Sequence, residues 1–489
     1  MNQYWIIAAI VLPFLGAAGI PLLPFRSRRG MLWYIEGIVL LTSAIVGGIL
    51  LGGKTEVFHV VHFVHDLSIS FKMDGMSMVF AGLVAILWPL ATLYAFEYMS
   101  HEKNEKPFFL FYTMTYGVTL GIAFASDILT MYFFYELLTL VTVPLVMHTM
   151  TREAILAVRR YLYYSIGGAA FALMGMIFVI VYGNTCEFQM GGVFSPVGLL
   201  RHGDMLLWIY FFSFMGFGVK AAVFPMSSWL PQAGVAPTPV TALLHAVAVV
   251  NAGAFAIIRL TYYSFGIDFL RGTWVQNVVM AITMFTIVYG CSRAVKERHI
   301  KRRLAWSTVS NLSYILFGAV MMTPQGLVGA LCHFVFHGFM KITSFLCAGA
   351  FMHQTGKQYV YEMDGLGRTM KVTFGCFAVS SLGLMGVPGF AGFISKWNLT
   401  AAAVESGNVL AYVGVAGLLL SALLTAIYML GVVSRAFFPS RRDTALETAA
   451  DPGWQMCLPM LICAAATIVL GICSQPLVDF FLAITSGTL

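Results

Sequence analysis

Charged side chains are scarce in this sequence of 489 residues. Asp, Glu, Lys and Arg together make up 10% of the chain, whereas a soluble domain carries about 25%. Hydrophobic residues account for 59%, and the mean hydropathy is +0.84. Polar stretches long enough for a soluble domain are missing, and apolar runs of about 18 or more residues recur throughout. The composition therefore excludes an ordinary soluble enzyme and indicates an integral membrane protein.

Cofactor and metal motifs are also missing. The eight cysteines stand singly, with no CxxC or other metal-ligand spacing, so neither an iron–sulfur cluster nor an attached haem is predicted. The first residues lack a basic region and a small-residue cleavage pattern, so we expect a retained first helix instead of a cleaved signal peptide. We expect no catalytic site, bound cofactor or metal in this chain.

The apolar runs predict an all-α integral membrane fold with about fourteen transmembrane helices. An even number of crossings places both termini on the same side of the membrane. The predicted segments are approximately 4–25, 31–52, 75–98, 108–125, 127–148, 158–182, 205–230, 239–263, 275–295, 303–322, 325–352, 371–402, 409–434 and 455–485.

Basic residues are distributed unevenly between successive loops. Of the 28 Lys and Arg residues, 20 fall in alternate loops, with clusters at 26–29, 293–303 and 435–442. The opposite loops carry only Lys54, Lys72, Arg201 and Arg271. The positive-inside rule therefore places the 20 in the cytoplasm and both termini outside, in the inner (cytoplasmic) membrane. Topology accounts for the net charge of +7, so nucleic acid is not an expected partner.

Two charged residues stand in the middle of apolar runs. Glu136 lies in MYFFYELLTLVTVPL and Lys220 in SFMGFGVKAAVFPMSSWLP. An ionisable residue at the bilayer centre costs at least about 2.5–3.5 kcal/mol, so it usually has a function. We expect the two to be coupled, because a proton arriving on Glu136 removes the negative charge that favours a charged lysine. A purely structural ion pair is the alternative. Arg259, near the end of its run, is expected to reach the membrane interface.

Proline and glycine interrupt two of the apolar runs beside a buried lysine. Pro225 and Pro231 follow Lys220, and Pro388 precedes Lys396 in SLGLMGVPGFAGFISKWNL. Proline breaks a helix, and broken helices at membrane depth are tolerated where they line protein or a water-filled cavity. Two such helices, each with a lysine, predict an internal repeat. A simple packing kink is the alternative.

The repeat divides the chain into four parts. We place the two repeats, of five helices each, at 107–262 and 263–435. An N-terminal part with three helices occupies 1–106, and a C-terminal loop with the last helix occupies 436–489.

Three histidines, His245, His333 and His337, also lie in apolar runs. Histidine titrates near neutral pH and can relay protons. Because His333, His337 and Lys341 are spaced four residues apart, they share one helix face and could form a water-bridged proton wire. The alternatives are hydrogen-bonded core histidines or an HxxxH metal pair, which lacks a carboxylate or third ligand nearby in the sequence.

Four stretches of the sequence form a specific set: SWLPQAGVAPTPVTALLHAVAVVNAG, IKRRLAWSTVSNLSYI, GLVGALCHFVFHGFMKITSFLCAG and GVPGFAGFISKW. Together they resemble the large antiporter-like subunits shared by respiratory complex I, Mrp-type sodium/proton antiporters (D-type subunit) and membrane-bound hydrogenases. The likeness covers nearly the whole chain, most strongly 120–400. It implies two five-helix repeats inverted relative to each other and preceded by three helices.

The resemblance also implies roles for the titratable residues. Glu136, Lys220 and His245 match the family's acid on the fifth helix, lysine on the broken seventh helix and bridging residue on the eighth. The central hydrophilic axis and its terminal residue on the broken twelfth helix, which exchanges protons with the outside, are matched by Lys301, His333, His337 and Lys396.

The function implied by this resemblance is proton translocation by a non-catalytic subunit of an oxidoreductase complex, either NADH dehydrogenase-like or hydrogenase. Its partners would be other membrane subunits of an electron-transport complex, including further antiporter-like subunits, together with membrane lipids and H⁺ or Na⁺. The alternative is a subunit of an Mrp-type Na⁺/H⁺ antiporter without a redox partner. An organic-solute transporter fits less well, because the charges are spread along an axis instead of lining one pocket.

Overall fold

The computed structural model describes residues 3–53, 55–64, 67–439 and 449–487. Lys54, Arg441 and Arg442, which contribute to the charge pattern, lie outside the described residues, as do residues 440–448 of the loop predicted to precede the last helix.

Helices dominate the described residues. In chain order, the α-helices are α1 (Tyr4–Leu22), α2 (Arg28–Gly52), α3 (Gly75–Tyr98), α4 (Glu105–Phe124), α5 (Ile128–Val146), α6 (Arg152–Tyr182), α7 (Pro196–Gly218), α8 (Trp229–Ala233), α9 (Thr238–Ala246), α10 (Val249–Ile258), α11 (Ile267–Leu270), α12 (Trp274–Lys296), α13 (Ile300–Val320), α14 (Pro324–Thr355), α15 (Lys371–Met385), α16 (Ala391–Glu405), α17 (Val409–Phe437), α18 (Trp454–Ile472) and α19 (Gln475–Thr485). A π-helical turn, Arg259–Phe265, continues α10.

Eleven helical stretches of the described residues are long and apolar enough to cross a membrane. This confirms a mostly helical, multi-pass membrane protein. Of the remaining helices, α7 and α13 are long but more polar, and α15 and α16 are 15 residues each, too short to cross a bilayer singly.

Several predicted apolar segments are interrupted. The segments at 205–230 and 371–402 are divided between α7 and α8 and between α15 and α16, where the sequence carries proline and glycine. The predicted segment at 239–263 is one candidate membrane span, Thr238–Phe265, but its helix is interrupted after Ala246, where the Asn251 amide donates a hydrogen bond to the Ala246 carbonyl oxygen.

The last predicted helix, at 455–485, was wrong as a single element. It consists of α18 and α19, because Pro476 has no N–H group with which to continue α18.

A β-hairpin is the exception to the all-α prediction. Strands β1 (Phe58–Val64) and β2 (Leu67–Phe71) pair antiparallel, with Phe58 opposite Phe71. The hairpin is fixed to the bundle because the Ser126 N–H donates to the Ser70 carbonyl at 3.1 Å. A two-stranded sheet therefore occupies much of the connection between the predicted segments 31–52 and 75–98.

The loops define two ends of the bundle. The hairpin end holds β1 and β2 and the loop at 183–195, which bonds to the π-helical turn. The opposite end, here called the basic end, holds the Arg28–Glu105 ion pair and the backbone bond from Ile300 to Gln358. The Lys- and Arg-rich loops therefore gather at one end.

The centre of the bundle is α14, with 94% of its most apolar stretch buried. It packs against α3, α9, α13, α15, α16 and α18. The stretch Thr238–Phe265 is completely buried, whereas α2, α6 and α17 expose most of their surface. The most shielded helices are therefore those that carry the predicted histidines.

Candidate functional site

Glu136 and Lys220 form a close pair inside the bundle. Glu136 is on α5, and its Oε1 lies 3.9 Å from the Lys220 Nζ atom. The Lys220 side chain is 1% exposed and that of Glu136 28%. The ammonium group also donates to the Tyr135 carbonyl oxygen and lies 3.5 Å from the centroid of the Tyr135 ring. The lysine is therefore held against α5 by two neighbouring residues.

The backbone around Lys220 is not helical. It lies in the stretch between α7 and α8, where the Trp229 indole N–H donates to the Val219 carbonyl at 2.8 Å. Gly253 of α10 packs directly on this stretch, since a Cβ atom there would lie 2.5 Å from the Ala221 nitrogen. The absence of a side chain on α10 therefore allows the Lys220 turn to sit in the core.

Polar atoms near Glu136 have unused hydrogen-bonding capacity. Glu136 Oε1, Thr139 Oγ1 and Ser165 Oγ are buried and have no hydrogen-bond partner among the described residues. One turn along α5, Thr142 Oγ1 lies 3.0 Å from the Tyr161 hydroxyl. Leaving a buried polar group unpaired costs about 1–3 kcal/mol, and water usually satisfies such groups in folded proteins.

A second set of titratable groups lies along α14. His333 Nδ1 is 2.9 Å from the Ser395 hydroxyl, and the His333 and His337 rings have centroids 6.0 Å apart. One turn further on, Lys341 Nζ donates to Ser307 Oγ at 2.6 Å. All three α14 side chains are fully buried.

His245 and Lys301 extend this second set towards the basic end. His245, near the end of α9, stacks on Phe345 with centroids 4.7 Å apart, and neither of its ring nitrogens has a partner within the described ranges. Lys301 Nζ donates to the Ala236 carbonyl at 2.7 Å.

Lys396 lies at the other end of the set, on α16. Its Nζ atom donates to the carbonyl oxygens of Leu384 and Met385, at 2.7 and 3.0 Å. These carbonyls end α15, where the helix dipole favours a positive charge. The Lys396 Nζ atom lies 5.3 Å from the centroid of the Tyr314 ring, which in turn lies 5.1 Å from the centroid of the His333 ring.

The prolines singled out in the sequence occupy two of the interruptions. Pro225 lies between α7 and α8, and Pro388 between α15 and α16. Pro231 lies within the short helix α8.

The structure thus brings the predicted residues into two groups. Lys301, His245, Lys341, His337, His333 and Lys396 form one line, and Glu136 with Lys220 forms the other group. In the described part of the chain, no hydrogen bond or ion pair joins Lys220 to His245. Helix α10 lies between them, with Gly253 against Lys220 and Asn251 bonded beside His245.

A charged cavity opens at the basic end beside α8. Its volume is about 470 Å³, and it is bounded by α6, α8, α12 and α13. The lining includes the polar side chains of Glu153, Arg160, Ser228, Gln232 and Arg293. Water therefore has access to the region next to the first helix interruption.

Arg259 differs from its prediction. Its side chain is fully buried and donates two hydrogen bonds of 2.7 Å to the Asp74 carboxylate, so it does not reach the membrane interface. Asp74 directly precedes an apolar run, and this position was the available signal for a helix cap. Sequence reasoning also missed the hydroxyl partners Ser307 and Ser395, because serine is common in membrane helices.

Among the described residues there is no group of three His, Cys, Asp or Glu side chains that could hold a metal ion.

Comparison with protein families gives two matches. The family model described as "NADH:quinone oxidoreductase/Mrp antiporter, TM" matches residues 125–425. A second, "NADH-Ubiquinone oxidoreductase (complex I), chain 5 N-terminus", matches residues 62–109.

Characterised relatives come from two kinds of membrane complex. The chain is 27% identical to NADH-quinone oxidoreductase subunit N of Desulforudis audaxviator, over 98% of both chains. It is 29% identical to a Na(+)/H(+) antiporter subunit of Alkalihalophilus pseudofirmus, over 79% of this chain and 50% of that one.

Solved structures share the fold. A chain of the Mrp complex from Dietzia sp. superposes with a TM-score of 0.84 at 21% identity, over 99% of this chain and 97% of that one. A chain of Thermus thermophilus respiratory complex I gives 0.83 at 20% identity, over 99% and 98%. A chain of an archaeal membrane-bound sulfane sulfur reductase gives 0.85 at 21% identity, over 98% and 97%.

Proposed function

Since this chain belongs to the antiporter-like subunit family shared by NADH:quinone oxidoreductases and Mrp antiporters, we propose that it translocates protons along its buried Glu, Lys and His side chains. We assign it to a complex I-like or membrane-bound hydrogenase complex, as a non-catalytic subunit. Its partners would be other membrane subunits, including further antiporter-like ones. The comparison with subunit N, which extends over 98% of both chains, supports this assignment.

The observation that carries the proposal is the Glu136–Lys220 pair. A carboxylate 3.9 Å from a buried ammonium group stabilises its charge, and a protonated carboxyl does not. Conformational or electrostatic coupling from a neighbouring subunit would shift Glu136 relative to Lys220. That shift would release the lysine proton towards the remaining groups.

The proposed route runs from the basic end to the hairpin end. Protons enter from the cytoplasm near Lys220 and His245, where the cavity beside α8 gives water access. They pass His337 and His333, with Lys301 and Lys341 flanking the path, and leave to the outside from Lys396. The position of His333 Nδ1, 2.9 Å from the hydroxyl of Ser395 and so beside Lys396 on α16, supports this order.

The proposed topology has fourteen crossings. The eleven candidate spans would be joined by α7 with α8, by α13, and by α15 with α16. With the basic end in the cytoplasm, both termini lie outside and the protein resides in the cytoplasmic membrane. Two inverted five-helix repeats would occupy 107–262 and 263–435, and each contains an interrupted helix beside a lysine.

Proton pumping by the assembled complex tests the proposal. Glu136→Gln and Lys220→Met each remove one charge of the pair, and we expect pumping to be abolished while the complex still assembles. Glu405→Gln is the control, because this acid is exposed at the end of α16 and far along the chain from the pair. Unimpaired pumping by Lys220→Met would contradict the proposal.

A second candidate function is a subunit of an Mrp-type Na⁺/H⁺ antiporter. The 29% identity to a Na(+)/H(+) antiporter subunit, over 79% of this chain, favours it. Purification of the native complex and identification of its other subunits separates the two. Hydrogenase or dehydrogenase subunits support the redox assignment, whereas a set of small membrane proteins alone supports the antiporter.

A further inference from the structure

The buried lysines Lys220 and Lys341 differ in what stands beside their ammonium groups. Lys220 has the carboxylate of Glu136 at 3.9 Å. Lys341 donates instead to a hydroxyl group, that of Ser307 on α13, at 2.6 Å, and within the described ranges no ion pair includes it. Because an unpaired charge is costly to bury, the Lys341 ammonium group needs another source of stabilisation.

Hydroxyl groups continue from Ser307 to α17 in direct contact with one another. Ser307 Oγ lies 2.6 Å from the Tyr428 hydroxyl, which lies 3.2 Å from Thr425 Oγ1. Thr425 in turn donates to the backbone carbonyl of Ser421 at 2.7 Å. The side chains of Lys341, Ser307, Tyr428 and Thr425 are each at most 2% exposed. The hydroxyls of Ser307, Tyr428 and Thr425 are here called the hydroxyl chain.

The hydroxyl chain fits the charged form of Lys341. An ammonium group has only donors, so Ser307 must accept from it and is free to donate onward to Tyr428. Tyr428 then donates to Thr425, whose own proton is directed to the Ser421 carbonyl. All the bonds run in one direction and end on an acceptor that carries no proton. Aligned hydrogen bonds in a low-dielectric interior strengthen one another, so they stabilise the positive charge at their head.

The neutral form of Lys341 fits the hydroxyl chain less well. A neutral amine can accept a hydrogen bond, so each hydroxyl can turn about its C–O bond and donate towards the lysine. Thr425 then donates to Tyr428 and no longer to the Ser421 carbonyl, and one hydrogen bond is lost. Each hydroxyl keeps its own proton during this reversal. The chain therefore changes direction with the charge of Lys341 and favours the ammonium form.

The far end of the hydroxyl chain is closed. Cys291 Sγ lies 3.6 Å from Thr425 Oγ1, and the hydroxyls of Ser310 and Ser421 lie 3.0 and 2.9 Å from the same sulfur atom. All of these side chains are buried. The chain thus ends in the core of the bundle instead of at a water-filled surface, an arrangement suited to stabilising a charge.

We propose that the hydroxyl chain serves Lys341 as the Glu136 carboxylate serves Lys220. It stabilises the ammonium form of Lys341 and reverses when that proton is passed on. Tyr428 and Thr425 are positioning residues in this account, because they act on proton transfer through Lys341. The inference rests on the proposed function, since it needs Lys341 to exchange protons with the path that it flanks.

Two substitutions of Thr425 separate a hydroxyl role from a packing role. Thr425→Val keeps the shape of the side chain and removes the hydroxyl, whereas Thr425→Ser keeps the hydroxyl and removes a methyl group. We expect Thr425→Val to slow proton pumping by the assembled complex, and Thr425→Ser to retain most of the rate. Equal pumping by the two variants, or slower pumping by Thr425→Ser, would overturn the proposal.

Tyr428→Phe breaks the hydroxyl chain at its centre. We expect it to slow proton pumping by roughly three- to tenfold, since a buried hydrogen bond contributes about that factor to an equilibrium. The matched control is Tyr210→Phe, because Tyr210 is fully buried on α7 and its hydroxyl lies 2.9 Å from Thr261 Oγ1, outside the proposed path. Equal losses in the two variants would mean that removing any buried phenol hydroxyl has this effect, and would count against the chain.

Ser307→Ala removes the acceptor of Lys341 itself. We expect it to slow pumping at least as much as Tyr428→Phe does. The double variant should be no slower than Ser307→Ala alone, because both substitutions act through one chain. Losses that multiply in the double variant would show two independent effects on packing and would contradict the inference.

Comparison with Lys220→Met separates this inference from the proposed function. If Lys220→Met stops pumping while Tyr428→Phe and Thr425→Val pump as wild type does, only the role of the hydroxyl chain fails. If Lys220→Met pumps normally, the main path fails as well. Yield and subunit composition of each purified complex show whether a loss of pumping reflects failed assembly.

Discussion

Arg259 and Asp74 form an ion pair inside the bundle, and two hydrogen bonds join their side chains directly. The guanidinium group lies between the rings of Phe188, Phe255 and Tyr263, at 4.6–5.1 Å from their centroids. It connects the π-helical turn after α10 to the start of α3. A pair of this kind holds two distant segments in register instead of taking part in transport.

Removing one partner of this pair leaves an uncompensated buried charge. We expect Arg259→Met to lower the free energy of unfolding by about 3–5 kcal/mol. Arg28→Met is the control, because Arg28 pairs with Glu105 at the surface with 41% of its side chain exposed, and its loss should cost only about 0–1 kcal/mol. Thermal unfolding of the purified variants in detergent measures the difference. Equal stability of the two variants would contradict this account.

The same pair predicts a dependence on pH. Burial raises the pKa of the Asp74 carboxyl, but the charge and hydrogen bonds of Arg259 outweigh burial and lower this pKa to about 2. Because the folded value lies below the unfolded value, the stabilisation by Asp74 is complete above about pH 4 and is lost as the pH falls towards 2.

Comparison of wild type with Asp74→Asn checks the direction of this pH dependence of stability. The stability gap between them should be larger at about pH 6 than at about pH 3, because the carboxylate gains protons only in the lower range. A gap that is constant, or that widens in acid, would show that Arg259 does not set the charge of Asp74.

At the residue scale, the sequence revealed which side chains are unusual, but among them it indicated a partner only for Glu136 and Lys220. A lone charge in an apolar run was enough to single out Glu136, Lys220 and Lys396. Asp74 and Arg259 are 185 residues apart, and no local pattern links residues at such a separation.

At the scale of helices, α10 packs so closely on the interruption between α7 and α8 that it requires glycine at position 253. A methyl group at Gly253 would lie 2.5 Å from the Ala221 nitrogen and 3.1 Å from Lys220 Cβ. We therefore expect Gly253→Ala to displace Lys220 from Glu136, to impair proton pumping and to destabilise the fold by about 1–3 kcal/mol.

The control for this substitution is Gly375→Ala in α15. No atom lies within 4 Å of the Cβ position there, so pumping and stability should stay close to those of wild type. Normal pumping by Gly253→Ala would show that α10 does not position the lysine.

Sequence patterns located most helices but not every interruption. Proline and glycine indicated the breaks near Pro225 and Pro388. At the break after Ala246, the Asn251 amide donates to the Ala246 carbonyl, a bond that has no simple sequence signature. The hairpin escaped prediction because its strands, of 7 and 5 residues, are too short to form a transmembrane segment, which was the element sought in the apolar runs.

At the scale of the whole molecule, the gathering of basic loops predicts orientation. Gly356 ends α14 at the basic end, and Gly407 lies between α16 and α17 at the other end; both have open space around them. We expect an epitope inserted at Gly356 to face the cytoplasm and one inserted at Gly407 to face outside.

Antibody binding to intact and permeabilised cells measures this orientation. The tag at Gly407 should be accessible once the outer surface is exposed, whereas the tag at Gly356 should need permeabilisation. The opposite result would reverse the proposed direction of the whole path.

The burial of α14 has a consequence for how the protein depends on its lipids. Its 32 residues extend for about 48 Å, beyond the hydrocarbon thickness of about 30 Å, yet neighbouring helices cover almost all of it. Changes in acyl-chain length act first on the peripheral helices. Transfer between thick and thin bilayers should therefore alter the contacts with neighbouring proteins of the complex before it alters the histidine and lysine chemistry at the centre.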